Sequence, residues 1–291
     1  MSQATRLLLW FFASILACLV VFKFPLLSDS SLSAVNNQAI IQQLSSADIV
    51  YLGERHNVQE DHAAQLEIIA SLYKQEQNLA IALEMFQRPY QIWLDKYLNK
   101  QITEEELKQK TEYEQRWGFN WEYYAPILRF AQAHRIPLLA LNTPSEITRK
   151  VAKTGLDSLS RQEASLIPPK SEIKTDNADY RAMLQEIYQA HSQGAHGNSD
   201  NFENFFTAQV LWDETMAETI ANYRQSNPDR QIIVLTGVGH IIYGYGIPSR
   251  VARRLSGDIV QKTVIFQEDI PKKSTNKAPA DYFWQHHPNL E

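Results

Sequence analysis

Short apolar runs recur along the chain and alternate with longer segments whose apolar residues have helical spacing. The runs are Ile49–Leu52, Leu79–Leu83, Pro137–Leu141, Ile232–Leu235 and Ile259–Phe266. Apolar runs of this length, without alternating polar residues, are typical of strands buried on both faces of a parallel sheet. The intervening segments, such as Tyr123–His134, have the length and pattern of helices. The alternation predicts an α/β fold, with a mainly parallel sheet flanked by helices.

The segment between the third and fourth predicted strands is long and contains no further strand. Its clearest helix is predicted over Asn201–Arg224, where one apolar stripe is interrupted by Gln209 and Asp213. We therefore expect a helical layer inserted into the sheet domain. A buried Asp rarely lacks a partner. Gln209 and Asp213 are therefore expected either to hydrogen-bond a neighbouring element or to orient the side chains of a functional site.

The N-terminus has a different pattern. Leu7–Phe22 is an uninterrupted apolar run, and the polar segment Ser28–Asn37 follows it. The run is slightly short for a membrane span and fits a secretory signal or an uncleaved anchor. Within it, Ile15–Cys18 resembles a bacterial lipobox, in which the cysteine is lipidated. Any of these alternatives places the rest of the chain on the exported side of a membrane.

These patterns divide the chain into a signal or anchor segment with a linker, residues 1–34, and one α/β domain, residues 35–291. The composition of the 291 residues is that of a globular protein, with 44% hydrophobic and 21% charged residues. A net charge of -5 argues against a nucleic-acid partner. The single cysteine, Cys18, lies in the apolar run, so the domain contains neither a disulfide nor a thiolate metal site.

Ionisable or amide side chains follow four of the predicted strands. Glu54 and His56 come after the first, Glu84 after the second, Asn142 after the third and His240 after the fourth. Ligands of open parallel sheets bind beyond the carboxyl ends of the strands, so these side chains are expected to share a crevice. The two carboxylates and two imidazoles suit acid–base catalysis. His56, Glu84 and His240 also suit a divalent metal, with Asn142, Gln209 and Asp213 as supporting residues.

Two Gly-x-x-His segments strengthen this hypothesis, because each directly follows an apolar strand. They are Gly53–His56 and Gly237–His240, and glycine permits the tight turn that each position needs. His62 lies near the same crevice on the apolar face of a predicted helix, where it is either a core histidine or part of the site. The sequence contains no GxSxG elbow, phosphate-binding glycine loop or HExxH helix.

Several segments together resemble the ChaN-like haem-binding lipoprotein family, within the wider Tiki and erythromycin-esterase-like group. They are Tyr51–His56, Ala82–Phe86, Trp117–Phe119, Leu139–Pro144, Gln209–Ala217 and Leu235–Arg250. The resemblance implies a bacterial envelope protein of haem or iron uptake that binds haem through a tyrosine and tends to form a homodimer. Candidate haem ligands on this chain are Tyr180, Tyr243 and Tyr245, with His62 as a further cofactor contact.

The wider group implies a second function. Its Tiki-type members resemble metal-dependent peptidases, and its erythromycin-esterase-like members hydrolyse esters with His and Glu. This chain departs from the family pattern at Asp61–His62, where paired histidines are common, and in its imperfect lipobox. Three alternatives therefore stay open: a haem-binding protein, a metal-dependent hydrolase using Glu54, His56, Glu84 and His240, and a non-catalytic scaffold or binding protein.

Overall fold

The structure, a computed structural model, describes residues 29–192, 201–266 and 277–286. The strands in these residues are β1 (Ile49–Glu54), β2 (Leu79–Gln87), β3 (Leu138–Asn142), β4 (Gln231–Gly237), β5 (Gln261–Ile265) and β6 (Tyr282–Phe283). They form one sheet in the order β3-β2-β4-β1-β5-β6, and every neighbouring pair is parallel. The predicted α/β fold with a parallel sheet is confirmed.

Helices connect and cover the strands. They are α1 (Asp29–Leu44), α2 (Gln59–Gln75), α3 (Gln91–Leu98), α4 (Glu104–Lys110), α5 (Tyr113–Arg116), α6 (Trp121–His134), α7 (Ser145–Thr154), α8 (Arg161–Ala164), α9 (Ala178–Ser192), α10 (Phe202–Ser226) and α11 (Ile247–Arg254). Short 3₁₀ turns lie at Arg88–Tyr90, Leu156–Ser158, Lys170–Glu172, Val238–His240 and Ile242–Gly244.

The polar segment that follows the predicted apolar run is helical in the structure. Residues 28–37 were expected to form a polar linker, but the chain is helical from Asp29 onward. This segment contains neither Gly nor Pro, and the C-terminal half of α1 buries Ile40, Ile41 and Leu44, so packing stabilises the helix. The predicted signal or anchor run and its lipobox lie outside the described residues. In the part of the chain that the structure describes, no helix has the length and apolar character needed to cross a membrane.

Alternate strand residues pack on opposite faces of the sheet. Val50 and Leu52 belong to a core shared with α2 and α6, whereas Ile49 and Tyr51 face a core shared with α10 and α11. A third apolar cluster joins α7, α9 and α10 and includes Tyr180. This cluster is the core of the inserted helical layer that the sequence predicted.

The strand register brings three chain segments to the same level at the carboxyl edge of the sheet. β4 lies between β1 and β2, which are consecutive in sequence but not neighbours in space. Glu54 of β1 is level with Gly237 of β4, and Leu83 of β2 is level with Leu235 of β4. Glu54, Glu84 and the end of β4 therefore converge, as expected for the ligand crevice of an open parallel sheet.

The outer edge of β3 is covered by a side chain. The amide nitrogen of Gln91 donates to the carbonyl of Leu138 (2.8 Å), and its amide oxygen accepts from the backbone N–H of Ala140 (2.7 Å). These are the hydrogen bonds that a further strand would otherwise make. The first residue of α3 thus satisfies the backbone of an edge strand.

Residues 277–286 pack against the body at the opposite edge. β6 pairs with β5, and the Asp281 carboxylate accepts hydrogen bonds from the backbone N–H and hydroxyl of Thr263 (both 2.8 Å). Trp284 is 1% exposed, and its indole N–H has no hydrogen-bond partner among the described residues. Residues 281–284 therefore dock against the edge of the sheet.

Trp284 gives a test of how much this segment stabilises the domain. Replacing a buried Trp by Ala removes a large apolar area, and we expect Trp284→Ala to lower the free energy of unfolding by about 3–5 kcal/mol. Trp284→Phe keeps most of the area and removes the unpaired N–H, so we expect a loss of about 1 kcal/mol or less. Urea unfolding measures both variants. Equal stability of Trp284→Ala and the unmodified protein would contradict this packing.

Candidate functional site

The first side-chain pair of the site is formed by Glu54 and His56. His56 Nδ1 lies 2.8 Å from Glu54 Oε1, and the Glu54 carboxylate, only 1% exposed, also accepts hydrogen bonds from Tyr124 (2.6 Å) and Gln65 (2.7 Å). Burial opposes a charge on His56, but the hydrogen bond to Glu54 and the charge of Glu84 outweigh it, so the pKa of His56 is raised. The carboxylate fixes the orientation of the imidazole and directs Nε2 away from Glu54.

The second pair repeats this arrangement on the other side of the crevice. His240 Nδ1 lies 2.6 Å from Asp213 Oδ1, and the other oxygen of Asp213 accepts a 2.6 Å hydrogen bond from Tyr180. Gln209 Nε2 lies 3.1 Å from the same nitrogen of His240. Gln209 and Asp213, the polar residues on the apolar stripe of α10, therefore contact His240.

Glu84 lies between the two imidazoles. Its Oε2 accepts hydrogen bonds from the Thr236 hydroxyl (2.6 Å) and the Gly237 N–H (2.7 Å), and its Oε1 lies 3.4 Å from His240 Nε2. A Cβ built on Gly237 would lie 2.8 Å from His56 Nε2 and 3.8 Å from Glu84 Oε2. Gly237 therefore leaves open the space in which His56 and Glu84 approach each other.

Glu84 and His240 form a buried ion pair at neutral pH. Burial opposes ionisation of Glu84, but the charge and hydrogen bond of His240, the charge of His56 and the Thr236 hydroxyl outweigh it and lower the pKa of Glu84 to about 2. Burial also opposes protonation of His240, but the charge of Glu84 and the hydrogen bond to Asp213 raise the pKa of His240 to about 10. The anion and the cation therefore stabilise each other.

A cleft of about 1050 Å³ opens above these groups. His56, Glu84 and His240 lie in its lining, together with an aromatic wall and a polar wall from α7. The aromatic residues are Trp117, Phe119, Phe205 and Trp212, and the polar wall includes Thr143, Ser145, Arg149 and Lys153. The ring centroids of Trp117 and Phe119 lie 4.8 and 4.9 Å from that of His56, so both rings pack against this imidazole.

Asn142, the last residue of β3, hydrogen-bonds two residues of the cleft lining. Its amide nitrogen donates to the backbone carbonyl of Glu84 (2.9 Å), and its amide oxygen accepts from the indole N–H of Trp212. The register of β2 against β3 shifts between Leu83 and Gln87. The Asn142 hydrogen bond therefore holds the irregular part of β2 that carries Glu84.

The candidate haem ligands suggested by the sequence lie elsewhere. Among the described residues that line the cleft there is no Tyr180, Tyr243 or Tyr245. Tyr180 is fully buried with its hydroxyl on Asp213, and the other two pack against each other in the helical layer, with ring centroids 5.4 Å apart. All three are buried in the inserted layer.

His62 is a buried residue beneath the loop that carries His56. Its ring stacks on Tyr123 at a centroid distance of 5.1 Å, and its Nε2 lies 3.2 Å from the backbone carbonyl of His56. Its Nδ1 lies 3.3 Å from the amide oxygen of Gln65. His62 is therefore buried behind the cleft lining, where Nδ1 also lies 3.6 Å from Glu54 Oε2, and it supports the His56 loop from below.

Three residues of the site were not predicted from the sequence. Gln65 and Tyr124 donate hydrogen bonds to Glu54, and Arg149 lines the cleft. Gln65 is a polar residue on the buried face of α2, and a polar side chain at such a position indicates a buried hydrogen-bond partner. Tyr124 could not have been identified, because aromatic residues at helical spacing are usually core residues.

The arrangement does not fit the divalent metal site expected at His56, Glu84 and His240. Within the described ranges, no three His, Cys, Asp or Glu side chains are placed to hold one ion. Both oxygens of Glu84 face donors, namely the Thr236 hydroxyl and Gly237 N–H on one side and the His240 imidazole on the other. The three side chains converge, as expected, but as a hydrogen-bonded ion pair with a neighbouring imidazole.

The ion pair predicts a pH dependence of stability that Glu84→Gln reduces, while the contribution of Asp213 to the charge of His240 remains. The pKa of Glu84 is lowered from 4.5, so its contribution is complete above pH 4.5 and is lost as the pH falls toward 2. The pKa of His240 is raised from 6.5, so its contribution is complete below pH 6.5 and is lost as the pH rises toward 10. Urea unfolding should therefore show the largest loss for Glu84→Gln between pH 4.5 and 6.5.

An NMR titration of the His240 ring gives the control for this prediction, because Glu84→Gln should lower the pKa of His240 from about 10 toward 6.5. An unchanged His240 pKa, or a stability difference that does not vary with pH, would show that the pair is not ionised as described.

Comparisons with known proteins agree with the motifs in the sequence. A family model described as haem-binding uptake, Tiki superfamily, ChaN matches residues 40–251. Protein RETICULATA-RELATED 5, chloroplastic, from Arabidopsis thaliana is 25% identical over 284 residues, a match that covers 91% of this chain and 37% of that protein. The chain thus spans little more than a third of that relative's length.

A solved structure described as cofacial heme binding to ChaN of Campylobacter jejuni superimposes with a TM-score of 0.63 at 19% identity. The superposition covers 81% of this chain and 87% of that chain, and it shows that the two share a fold. Because the family model spans most of the sequence, this protein belongs to the haem-binding uptake family of the Tiki superfamily, the family of ChaN.

Proposed function

We propose that this protein binds haem in the cleft above the carboxyl ends of β1, β2 and β4, and that His56 is the iron ligand. The proposal rests on the orientation of the His56 side chain and on its place in the cleft. Its Nδ1 is held by the Glu54 carboxylate, and its ring forms part of an aromatic-walled cleft. A carboxylate at the second ring nitrogen is the usual support of a histidine that ligates a metal.

The cleft has features that suit a porphyrin. Its volume of about 1050 Å³ lies at the upper end of small-molecule pockets. Trp117, Phe119, Phe205 and Trp212 offer aromatic surface for a flat apolar ring. Haem iron, when bound, supplies an open coordination position that imidazole fills. Membership of the haem-binding family supports the same assignment.

His56 suits the ligand role better than the other candidates. Its side chain is 27% exposed, whereas that of His240 is 8% exposed and has Nε2 3.4 Å from a Glu84 oxygen. The tyrosines proposed from the family resemblance are buried, and the hydroxyl of Tyr180 donates to Asp213. Burial and the Asp213 carboxylate also raise the pKa of Tyr180 well above 10, which disfavours the tyrosinate that iron requires.

We propose further that the protein acts in haem or iron uptake, tethered to a membrane, with its domain on the exported side of the cell envelope. The apolar run Leu7–Phe22, with Cys18 in a lipobox-like context, supports tethering by an anchor or by lipid. The cofacial haem described for ChaN of Campylobacter jejuni motivates a homodimer in which two such clefts meet.

A hemin titration followed by visible absorption tests the proposal. We expect a saturable Soret shift at about one haem per chain, and we expect His56→Gln to weaken binding at least tenfold, because loss of one axial bond removes more than about 1.4 kcal/mol. His134→Gln is the matched control, since His134 is an exposed histidine on α6 that is not part of the cleft.

The possible outcomes separate the parts of this proposal. Absence of a saturable shift in the unmodified protein would reject haem binding. A normal titration of His56→Gln would reject His56 as ligand, and a tyrosinate charge-transfer band would direct attention to a tyrosine.

A second candidate function is ester or amide hydrolysis by acid–base catalysis. It is favoured by the buried ion pair, because the raised pKa of His240 keeps a proton on an imidazole in the cleft at neutral pH. His240 Nε2–H faces Glu84 and the cleft, which gives the site a general acid beside a carboxylate. This candidate uses Glu54, His56, Glu84 and His240 without the metal that the sequence suggested.

Aryl esters of small and large acids test this second function. General acid–base groups contribute roughly 10²–10⁴-fold to rates, so His240→Gln should lower turnover at least a hundredfold, with His134→Gln unchanged. Equal rates for the unmodified protein and His240→Gln would show that any hydrolysis is not performed at this site.

A further inference from the structure

The α7 wall of the cleft carries two cations that form no close ion pair with a described carboxylate, although Glu146 interacts with Arg149 at longer range. Arg149 and Lys153 are four residues apart on α7, and both line the cleft and are exposed. Among the described residues, no carboxylate forms an ion pair with either side chain within 4 Å, whereas Lys150 on the same helix binds Glu163 at 2.7 Å. Like charges at this spacing repel each other, and an anion between them would relieve the repulsion.

Arg149 is held in place by its own helix. Its Nε donates to the backbone carbonyl of Ser145 (3.1 Å), and one terminal nitrogen donates to the Ser145 hydroxyl (2.7 Å). These bonds orient the guanidinium without neutralising it. The other arginine in the lining, Arg116, is different, because Glu112 and Glu146 each lie 2.8 Å from it.

Thr143 adds an independent observation at the same wall. It is 1% exposed, lies in the cleft lining at the end of β3, and its hydroxyl has no hydrogen-bond partner among the described residues. A buried hydroxyl without a partner costs free energy, and it is a group that a bound acceptor would satisfy. Together, Thr143 and the α7 residues Arg149 and Lys153 offer one hydroxyl and two cations to an acidic ligand.

We infer that the wall formed by Thr143, Arg149 and Lys153 is a carboxylate-binding subsite, which pairs with the two propionate groups of haem while the porphyrin ring lies against the aromatic residues. This inference rests on the proposed haem function and extends it to the recognition of the acidic edge of the ligand. Arg and Lys recognise carboxylates through charge-assisted hydrogen bonds, which are stronger than neutral ones. The subsite fixes which edge of the porphyrin faces α7.

Hemin and its dimethyl ester, in which both propionates are blocked, separate the acid contacts from the iron contact. We expect the unmodified protein to bind hemin about five- to tenfold more tightly than the ester, because partly exposed ion pairs contribute modestly. Arg149→Gln/Lys153→Gln should weaken hemin binding to the level of the ester and leave ester binding unchanged. Arg149→Lys should retain most of the preference, because it keeps the charge.

The matched control is Lys74→Gln/Arg161→Gln. Both residues are exposed, neither lines the cleft, and the substitution removes the same two positive charges. This control should keep the preference for hemin over the ester. Raising the salt concentration should weaken hemin binding to the unmodified protein more than binding of the ester.

The outcomes distinguish this inference from the function on which it rests. Equal affinities of the unmodified protein for hemin and ester, or an undiminished preference in Arg149→Gln/Lys153→Gln, would overturn the carboxylate subsite and leave haem binding intact. Binding of neither porphyrin would overturn the proposed function and this inference with it.

Discussion

A charged carboxylate buried within the central strand β2 sets the requirements for the rest of the site. Glu84 is 1% exposed, and an isolated charge at such a position would be strongly destabilising. It is tolerated because the Gly237 N–H, the Thr236 hydroxyl and the His240 imidazolium surround it. All three come from β4 or the turn after it, so Glu84 requires β4 to lie beside β2. The ionised state of Glu84 therefore requires the observed strand order, because only that order places the donors of β4 beside β2.

The two imidazoles in turn depend on side chains from other elements of the fold. His240 is charged only because Asp213 on α10 and Glu84 on β2 both face it, and Asp213 is itself held by Tyr180 of the inserted layer. His56 depends in the same way on Glu54, whose remaining hydrogen bonds come from α2 and α6. Each imidazole is therefore oriented by a different part of the molecule, and both meet at one carboxylate.

The sequence was informative about the strands and the polar residues that end them, because buried parallel strands have a strong apolar pattern. It could not show that β4 separates β1 from β2, since strand order depends on contacts between distant segments. It also could not show that the helical layer buries Tyr180, Tyr243 and Tyr245, the tyrosines considered as haem ligands. The roles of Tyr124 and Arg149 could not be predicted either. A helical pattern shows which face of a helix is buried, but not which strand end lies opposite that face.

The Gln91 side chain at the edge of β3 has a consequence for how copies of this protein can associate. A free strand edge is a template on which chains can polymerise, and natural proteins block such edges. Here the side-chain amide of Gln91 hydrogen-bonds the carbonyl of Leu138 and the N–H of Ala140, which are the backbone groups that an incoming strand would need. The opposite edge is β6, which has only two residues. Assembly by continuing the sheet from one molecule to the next is therefore disfavoured at the β3 edge, and the described β6 edge offers only two residues for such pairing.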